Sequence, residues 1–534
     1  MPSQQPTLTQ RVFSAAAWNT LLFPARFVVG LVANILLLNY LSPAEYGILT
    51  LLTGLAATIG VYADLGIERS LPRFLPEIEG QSGRRGVARF LTQIITLKLG
   101  IMLLCVVALL LLSDPLIGFA TRDAEPEIVT LAQERGQLLV WAVIALVVFG
   151  ALYDVFMAFL TAYFKQRAWN SITIIIALLQ PLLVIGFIAL EWGISGVLLG
   201  MVITSVVAVA LAAWQMLRAG RETPEERAGG TPEGALARRF AGFAGMSYFI
   251  QVTTWFYDVQ FISFVLVAMN TPLDQMALLV VAYKFAKDYL SYVYIPFSGV
   301  LTPLLARIRG RQEPAALQET YAGLTRLFAL LLIPAGVGLA LLTPRLLSLL
   351  YPQYTDAAHL IYIFIAFTFI ESLISVPHNV LMVYERYRPV LLSRLLALSS
   401  VPLLAIFVLW LGWGLTGAAL AVGLARVFSR ITTLVYVRRQ MGLRFPLAFV
   451  GRVTAATLAF GAPLLLLLFT LPPTAAAQGW GDKVVSALGL LGLAAAAGVG
   501  YLVALRLLGG LDEQERRRIL SLKLPFKGAL AKLL

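Results

Sequence analysis

The sequence predicts an all-α polytopic membrane protein of fourteen transmembrane helices, arranged as two parallel six-helix lobes followed by two C-terminal helices. Three observations carry this expectation. Apolar stretches of spanning length recur along the whole chain, basic residues fall almost entirely on one side of them, and a block of residues repeats at a constant offset.

Composition sets the solvent. With 59% hydrophobic and 13% charged residues over 534 positions, the chain has more apolar surface than a soluble fold can hide, so lipid must cover the rest. Stretches of about 19 residues or more, enough to cross the hydrocarbon, begin near Trp18, Tyr46, Ala88, Gly136, Trp169, Ile194, Phe243, Gln275, Leu324, Ala358, Val390, Gly414, Pro446 and Val484. They lack the two-residue alternation of a membrane barrel, which leaves helices as the spanning structure. The first stretch, Trp18 to Leu41, is too long for a signal-peptide core and has no clear cleavage site, so it is expected to be a retained first span.

The net charge of +13 does not point to nucleic acid, because the basic residues are parcelled out loop by loop rather than gathered on one soluble face. Thirty of the 41 Lys and Arg lie in the two tails and every second loop, and only Arg122, Arg135, Arg345 and Lys483 lie in the alternate loops. Positive residues accumulate on the cytoplasmic side. Both termini are therefore expected in the cytoplasm, with an even number of spans between them, in a cell inner membrane.

The repeat organises these spans. Tyr163, Lys165, Arg167, Pro181, the run Trp192-Gly193-Ile194-Ser195-Gly196 and Arg218 recur 221 positions later as Tyr384, Arg386, Arg388, Pro402, Trp413-Gly414-Leu415-Thr416-Gly417 and Arg439. The offset maps spans four to six onto ten to twelve, and an even shift keeps both copies pointing the same way, as in parallel repeats about an axis along the membrane normal. The expected organisation is an N-terminal lobe at 1–217, a cytoplasmic linker at 218–239 with Gly229-Gly230 and Thr231-Pro232 breakers, a C-terminal lobe at 240–441, spans thirteen and fourteen at 442–508, and a basic tail at 509–534 on the anionic inner surface. Two lobes in one chain make a monomer sufficient.

Catalytic parts are scarce. No Gly-rich loop ends in Lys-Ser or Lys-Thr, the two histidines, His359 and His378, form no His-Glu-x-x-His pair, and Cys105 is the single cysteine. Gly412-x-Gly414-x-x-Gly417 imitates a dinucleotide fingerprint, but it lies in a turn between spans with no strand before it. Gly196-x-x-x-Gly200 fits close helix packing. No catalytic residue, cofactor or metal is expected.

Charge within the spans remains. An ionised side chain at mid-span opposes insertion by roughly 2.5–3.5 kcal/mol on translocon scales, so such residues face a partner or a cavity. Arg26, Lys98, Lys284, Lys287, Arg426 and Arg430 stand against Asp154, Asp258, Asp288 and Glu371, a positive balance that suits an anionic cargo. Lys284, Lys287 and Asp288 share one face of span eight; either Lys284 and Asp288 neutralise each other, or the two lysines line a cavity and bind phosphate oxygens. Asp258 can pair with them or carry a proton. Arg26 follows the kinking Pro24 and otherwise snorkels. Arg426 and Arg430 sit four apart on span twelve, where Glu371 either answers them or carries an ion, and Asp154 is a further candidate for coupling or pairing. Tyr283, Tyr289, Tyr292 and Tyr294 can stack on sugars or form core.

Leu41-Ser42-Pro43-Ala44-Glu45-Tyr46-Gly47, Ala63-Asp64-Leu65-Gly66-Ile67 running into Arg69 and Arg73, and Leu350-Tyr351-Pro352-Gln353-Tyr354 resemble the polysaccharide exporters and O-antigen flippases of the multidrug/oligosaccharidyl-lipid/polysaccharide exporter superfamily. The resemblance implies a flippase for an oligosaccharide on undecaprenyl pyrophosphate, working by alternating access within the bilayer and alongside glycan polymerases and glycosyltransferases. That family's cavity is cationic and lined by spans one, two, seven and eight, which matches Arg26, Asp258, Lys284 and Lys287 by span. Asp64 and Arg69 match the Asp-Leu-Gly region and either serve the site or shape its turn. A lipid II flippase shares the fourteen-span plan. A membrane-embedded polymerase or ligase would carry a sizeable outer loop, which this chain lacks. The multidrug branch places a carboxylate on span one, where this chain has Arg26.

The charge asymmetry yields a topology test. Reporters fused within 218–239 and after Leu534 should read as cytoplasmic, and one inserted beside Arg122 as external; an external reading for either of the first two would overturn the assigned sidedness.

Overall fold

Inside hydrocarbon each backbone polar group needs a partner within its own segment, and the described residues meet that demand with helices alone. The structure, a computed structural model, describes residues 29–121, 126–163, 165–221, 234–311, 314–384, 386–470 and 480–507. In chain order the helices are α1 (Val29–Tyr40), α2 (Pro43–Asp64), α3 (Ile67–Leu111), α4 (Ser113–Ala120), α5 (Pro126–Ala162), α6 (Gln166–Ala189), α7 (Gly193–Arg221), α8 (Gly234–Trp255), α9 (Val259–Ala268), α10 (Leu273–Arg311), α11 (Pro314–Leu350), α12 (Ala358–Leu373), α13 (Val376–Val383), α14 (Tyr387–Ala397), α15 (Ser400–Leu404), α16 (Gly414–Met441), α17 (Leu447–Thr470) and α18 (Trp480–Leu507). Among the described residues eleven helical segments are long and apolar enough to cross a membrane, or twelve with α8 and α9 counted as one broken span. The chain is a multi-pass membrane protein. The first and eighth of the fourteen expected spans fall outside that count, although α10 is helical along its whole length.

The chain divides into two compact units, Met1–Ala277 and Leu278–Leu534. In the first, α5 packs against α2, α3 and α7, α6 lies on α7, and α8 covers parts of α2 and α3. Ser42 starts α2 with a capping box, its side chain accepting from the Glu45 N–H while the Glu45 carboxylate accepts from the Ser42 N–H. Leu65 and Gly66 then turn the chain in left-handed conformation, at φ 53° and 71°. Gly66 cannot carry a side chain, since a Cβ there would lie 2.0 Å from the Ala244 carbonyl oxygen on α8.

A loop was the expected connection between spans two and three. Helix α3 instead begins at Ile67, and its 45 residues are two helical segments joined at the non-helical Gly83 (φ 61°, ψ −169°), where the chain turns back so that Lys98 of the second segment reaches Glu68 of the first. Its early turns form because Leu71, Phe74, Leu75 and Ile78 recur at helical spacing and bury in one core with Leu236 of α8 and Phe159 of α5.

In the second unit α16 packs against α12, α13, α14 and α15, while α11 carries α12 on one side and α17 and α18 on another. The last two helices join through Ala329, Ile333, Phe449, Val453, Tyr501 and Leu505.

The repeat reappears as matching backbone. Helices α6 and α14 start at Gln166 and Tyr387, and α7 and α16 start at Gly193 and Gly414, each pair 221 positions apart. The N–H groups of Lys165 and Arg386 donate to Leu160 and Leu381 carbonyls, both at 2.9 Å. Glu191 and Gly412 are left-handed at φ 58° and 67°, and so are Gly193 and Gly414 at 60° and 51°. A tryptophan in each turn packs on a nearby phenylalanine, Trp192 tilted on Phe187 and Trp413 stacked on Phe407, with centroids 5.1 and 5.3 Å apart. The imitation of a nucleotide motif is thereby explained: Gly412 and Gly414 make the turn, and a Cβ on Gly417 would meet the Phe407 carbonyl oxygen at 2.8 Å. The copies differ in that α6 is continuous, whereas its counterpart breaks after α14 and ends in a π turn at Ala405–Trp410.

Gly66→Ala should lower stability by about 1–3 kcal/mol through strain at positive φ and by more through the clash with Ala244. Gly60→Ala, which meets no neighbouring atom, should be neutral or slightly stabilising; equal melting temperatures for the two variants would refute the account of Gly66.

Candidate functional site

The densest polar cluster of the second unit is built by α10, α12 and α16. Arg426 and Arg430 sit one turn apart on α16 and share one carboxylate, Glu371 of α12: Arg430 Nη2 lies 3.1 Å from Glu371 Oε1, and Arg426 Nη1 lies 3.6 Å from Oε2. Arg426 also donates to the Tyr283 hydroxyl of α10 at 2.7 Å. The Tyr283 ring is bracketed by two cations, with Lys287 Nζ and the Arg426 guanidinium carbon each 5.0 Å from its centroid. Phe364 meets the ring edge-on at 5.4 Å. Tyr283 is thus buried, with its faces occupied.

Lys284 and Asp288 lie exposed on α10 beside the half-buried Lys287, and Asp288 is within electrostatic reach of both lysines. His378 of α13 is within similar reach of Glu371, Arg430 and Arg394. Four cations, Lys284, Lys287, Arg426 and Arg430, therefore meet two carboxylates, Asp288 and Glu371. The surplus is positive, and the lysines at its exposed edge can donate to an anion as mobile point charges.

The first unit holds a second cluster of opposite balance. Lys98 of α3 places Nζ 2.7 Å from Glu68 Oε1 and 3.4 Å from Asp64 Oδ1, and Asp154 of α5 acts on the same group. Arg69 is exposed next to it.

Asp258 has a separate place. Helices α8 and α9 meet at a bend of 53°, and such a break inside a membrane leaves orphan N–H groups. Asp258 caps α9, its Oδ1 accepting from the Gln260 N–H at 3.1 Å. Beside the same break the Trp255 indole donates to Thr58 Oγ1 at 2.9 Å.

The structure thus brings Tyr283, Lys287, Arg426, Arg430 and Glu371 into one cluster, and Asp64 and Asp154 into another around Lys98. Arg26 and the side chain of Tyr292 lie outside the described residues. Glu68 and His378 were not singled out from sequence. Glu68 follows Asp64 by four positions at a helix start, and that spacing, set beside a lone mid-span Lys98 in need of counter-charge, was the available signal. An open pocket of about 520 Å³ between Thr130, Arg135, Glu191 and Trp192 holds none of the candidate residues. Among the described residues no trio of His, Cys, Asp or Glu is placed to hold a metal.

Solved structures of membrane transporters share this many-spanned helical fold. A lipid II flippase MurJ in an inward closed conformation superposes with a TM-score of 0.67 at 15% identity, covering 90% of this chain and 97% of its own. A multidrug resistance MATE family transporter of the MOP superfamily, inward-facing, gives 0.57 at 15% identity over 78% and 94%, and a MOP superfamily transporter from Pyrococcus furiosus gives 0.53 at 15% over 81% and 96%. No curated protein matches in sequence. The chain belongs to the polysaccharide biosynthesis protein family, whose model matches residues 36–359.

Removing one partner of a buried pair strands the other charge at a cost of roughly 3–5 kcal/mol. Glu371→Ala should therefore destabilise the protein on that order, whereas Tyr283→Phe should lose about 1 kcal/mol. Thermal unfolding in detergent ranks them, and a silent Glu371→Ala would show the fork to be dispensable. By the same assay Asp258→Ala should lower stability by about 1 kcal/mol and Asp258→Asn by little.

Proposed function

We propose that this protein is a flippase that moves an oligosaccharide linked to undecaprenyl pyrophosphate across the cell inner membrane, by alternating access, for surface polysaccharide synthesis such as lipopolysaccharide O-antigen or exopolysaccharide. Membership of the polysaccharide biosynthesis family supports the glycan, and the observation that carries the headgroup is the positive surplus around Lys284, Lys287, Arg426 and Arg430. A diphosphate bearing sugars cannot enter hydrocarbon unaided, whereas its polyprenyl tail prefers to stay there. A cationic recess offers the headgroup ammonium and guanidinium donors in place of water, so the barrier to crossing falls without any bond being made or broken. The protein is a secondary transporter on this reading, not an enzyme.

Glu371 has a defined part in the mechanism. By occupying the two-arginine fork it fixes α16 against α12 and leaves the more exposed Lys284 and Lys287 to meet the cargo. The repeat at a 221-residue offset supports two like-oriented lobes at 1–217 and 240–441 around the linker 218–239, with 442–508 and the basic tail 509–534 appended. The loop charges support cytoplasmic termini. Arg26, Asp64, Arg69 and Asp154 are assigned to the transport pathway or its coupling, and glycosyltransferases and a glycan polymerase are the expected working partners of a sufficient monomer.

A second reading, a lipid II flippase, is favoured by the likeness to MurJ over 90% of this chain. Depletion separates the two: loss of lipid II flipping stops growth, while loss of a glycan exporter alters the coat.

Each charge-assisted contact to a phosphate contributes about 1.5–3 kcal/mol, which corresponds to roughly 10-fold or more in headgroup binding. Lys287→Glu, alone and with Lys284→Glu, should accordingly reduce movement of labelled lipid-linked glycan in proteoliposomes by at least that factor while the protein inserts normally. Unchanged transport by the double variant would remove both lysines from the mechanism.

A further inference from the structure

The open pocket of about 520 Å³ in the first unit belongs to neither charge cluster, and its volume falls in the range of roughly 300–1,000 Å³ typical of small-molecule sites. Its walls come from the start of α5 and from the turn between α6 and α7. Thr130 and Glu134 stand one turn apart on α5 with Arg135 beside them, and Glu191 and Trp192 line the pocket from the turn. Polar contacts fix these walls: Arg135 Nη1 donates to Ser195 Oγ at 3.1 Å, and the Gly193 N–H donates to the Tyr40 hydroxyl at 3.2 Å.

Two of the lining residues are kept there against the preference of the fold. The Trp192 ring lies on Phe187, yet 48% of the residue stays exposed. Glu191 has a left-handed backbone at φ 58°, where a residue with a Cβ is strained and glycine is not. The copy of this turn 221 positions later puts Gly412 at the same place, at φ 67°. The turn itself therefore asks only for glycine, and the carboxylate that stands in its place in the first unit serves something other than the backbone. Strain of this kind on the wall of a pocket is a mark of binding.

The lining suits one class of ligand. A sugar ring carries hydroxyls that both donate and accept, and a C–H face that rests on an aromatic ring. The Glu134 and Glu191 carboxylates accept from hydroxyls, the Arg135 guanidinium has five donors of which the Ser195 contact uses one, and Trp192 supplies the apolar platform. Two carboxylates against one guanidinium leave an excess of one negative charge, which disfavours phosphate and acidic sugars. We infer that this pocket is a binding site for a neutral sugar unit of an oligosaccharide, made by residues of the first unit only. The source of that sugar rests on the transport reading, in which the glycan is part of the cargo, and the pocket gives the glycan a place on the chain apart from the cations that meet the diphosphate.

Binding of the full-length protein in lipid nanodiscs to a glycan array tests it. The array holds neutral hexoses, deoxyhexoses and N-acetylhexosamines as mono- and disaccharides, and hexuronic acids and inorganic phosphate serve as anionic probes. The wild type should bind at least one neutral glycan, and more tightly than any anionic probe. Trp192→Ala should weaken that binding by roughly 10-fold, with Trp192→Phe between the two. Glu191→Gly should weaken it by a similar factor while the melting temperature stays the same or rises, because the strain leaves with the carboxylate. Trp413→Ala, at the counterpart turn with the same 48% exposure, should bind as the wild type does, and so should Lys284→Glu combined with Lys287→Glu. The inference is overturned if no neutral glycan binds, if an anionic probe binds more tightly, if Trp192→Ala or Glu191→Gly binds normally, or if Trp413→Ala loses as much as Trp192→Ala. Failure of the headgroup reading looks different: the lysine double variant would then transport normally whatever the array shows.

Discussion

Ionised side chains within lipid must be answered by other side chains, and each unit of this protein is organised around one such answer. In the second unit Glu371 sits between Arg426 and Arg430, and the hydroxyl of Tyr283 extends the network, so α10, α12 and α16 are fixed to one another by polar contacts. In the first unit Lys98 reaches back from the middle of α3 to the turn between α2 and α3. Apolar packing alone offers helices in a membrane little preference for one register, since lipid tails are as apolar as leucine. A buried charge that must find its partner does discriminate, because the wrong register leaves it stranded.

The backbone obeys the same rule. Where a helix breaks in the membrane, its freed N–H groups need acceptors, and at the α8–α9 bend Asp258 supplies one. A carboxylate that sequence alone marks as a site candidate therefore has a structural task at the break, and both descriptions follow from one cause: polar groups at membrane depth persist only where something requires them. The left-handed turns before α7 and α16 have a lighter task, reversing the chain where Gly193 and Gly414 admit positive φ.

Much of this was legible in the sequence. Spacing of apolar stretches located the helices to within a few residues, with spans expected near Trp169, Ile194 and Val390 where the helices start at Gln166, Gly193 and Tyr387, and the 221-residue offset recurs to the residue between the starts of α6 and α14 and of α7 and α16, because the turn motif Trp-Gly-x-Ser/Thr-Gly encodes backbone conformation locally. The first segment of α3 was not legible from hydropathy. It carries Arg69 and Arg73, with Arg84 and Arg85 just after the Gly83 break, which read as loop, while the segment forms because Leu71, Phe74, Leu75 and Ile78 bury against α8 and α5. Charged residues within spans could be identified from sequence, but their partners could not, since the pairing of Lys98 with Glu68, 30 positions apart across the Gly83 break in α3, or of Arg430 with Glu371, 59 positions apart on α16 and α12, is set by how the segments meet in space. Glu68 escaped notice because it lies where a loop was expected.

The two copies of the repeat show which features duplication preserved. Turn geometry, helix starts and the packing of α7 on α5 and α6, or of α16 on α12 and α14, recur. The charges do not. At the 221-residue offset Glu371, Arg426 and Arg430 correspond to Gly150, Ser205 and Val209, and Asp154 corresponds to Ser375. One unit has concentrated positive charge on its inner helices and the other negative charge, on frames built alike. The shared turns and helix contacts hold the frame, so the charged residues inside each unit could diverge as long as each buried charge kept a partner of its own.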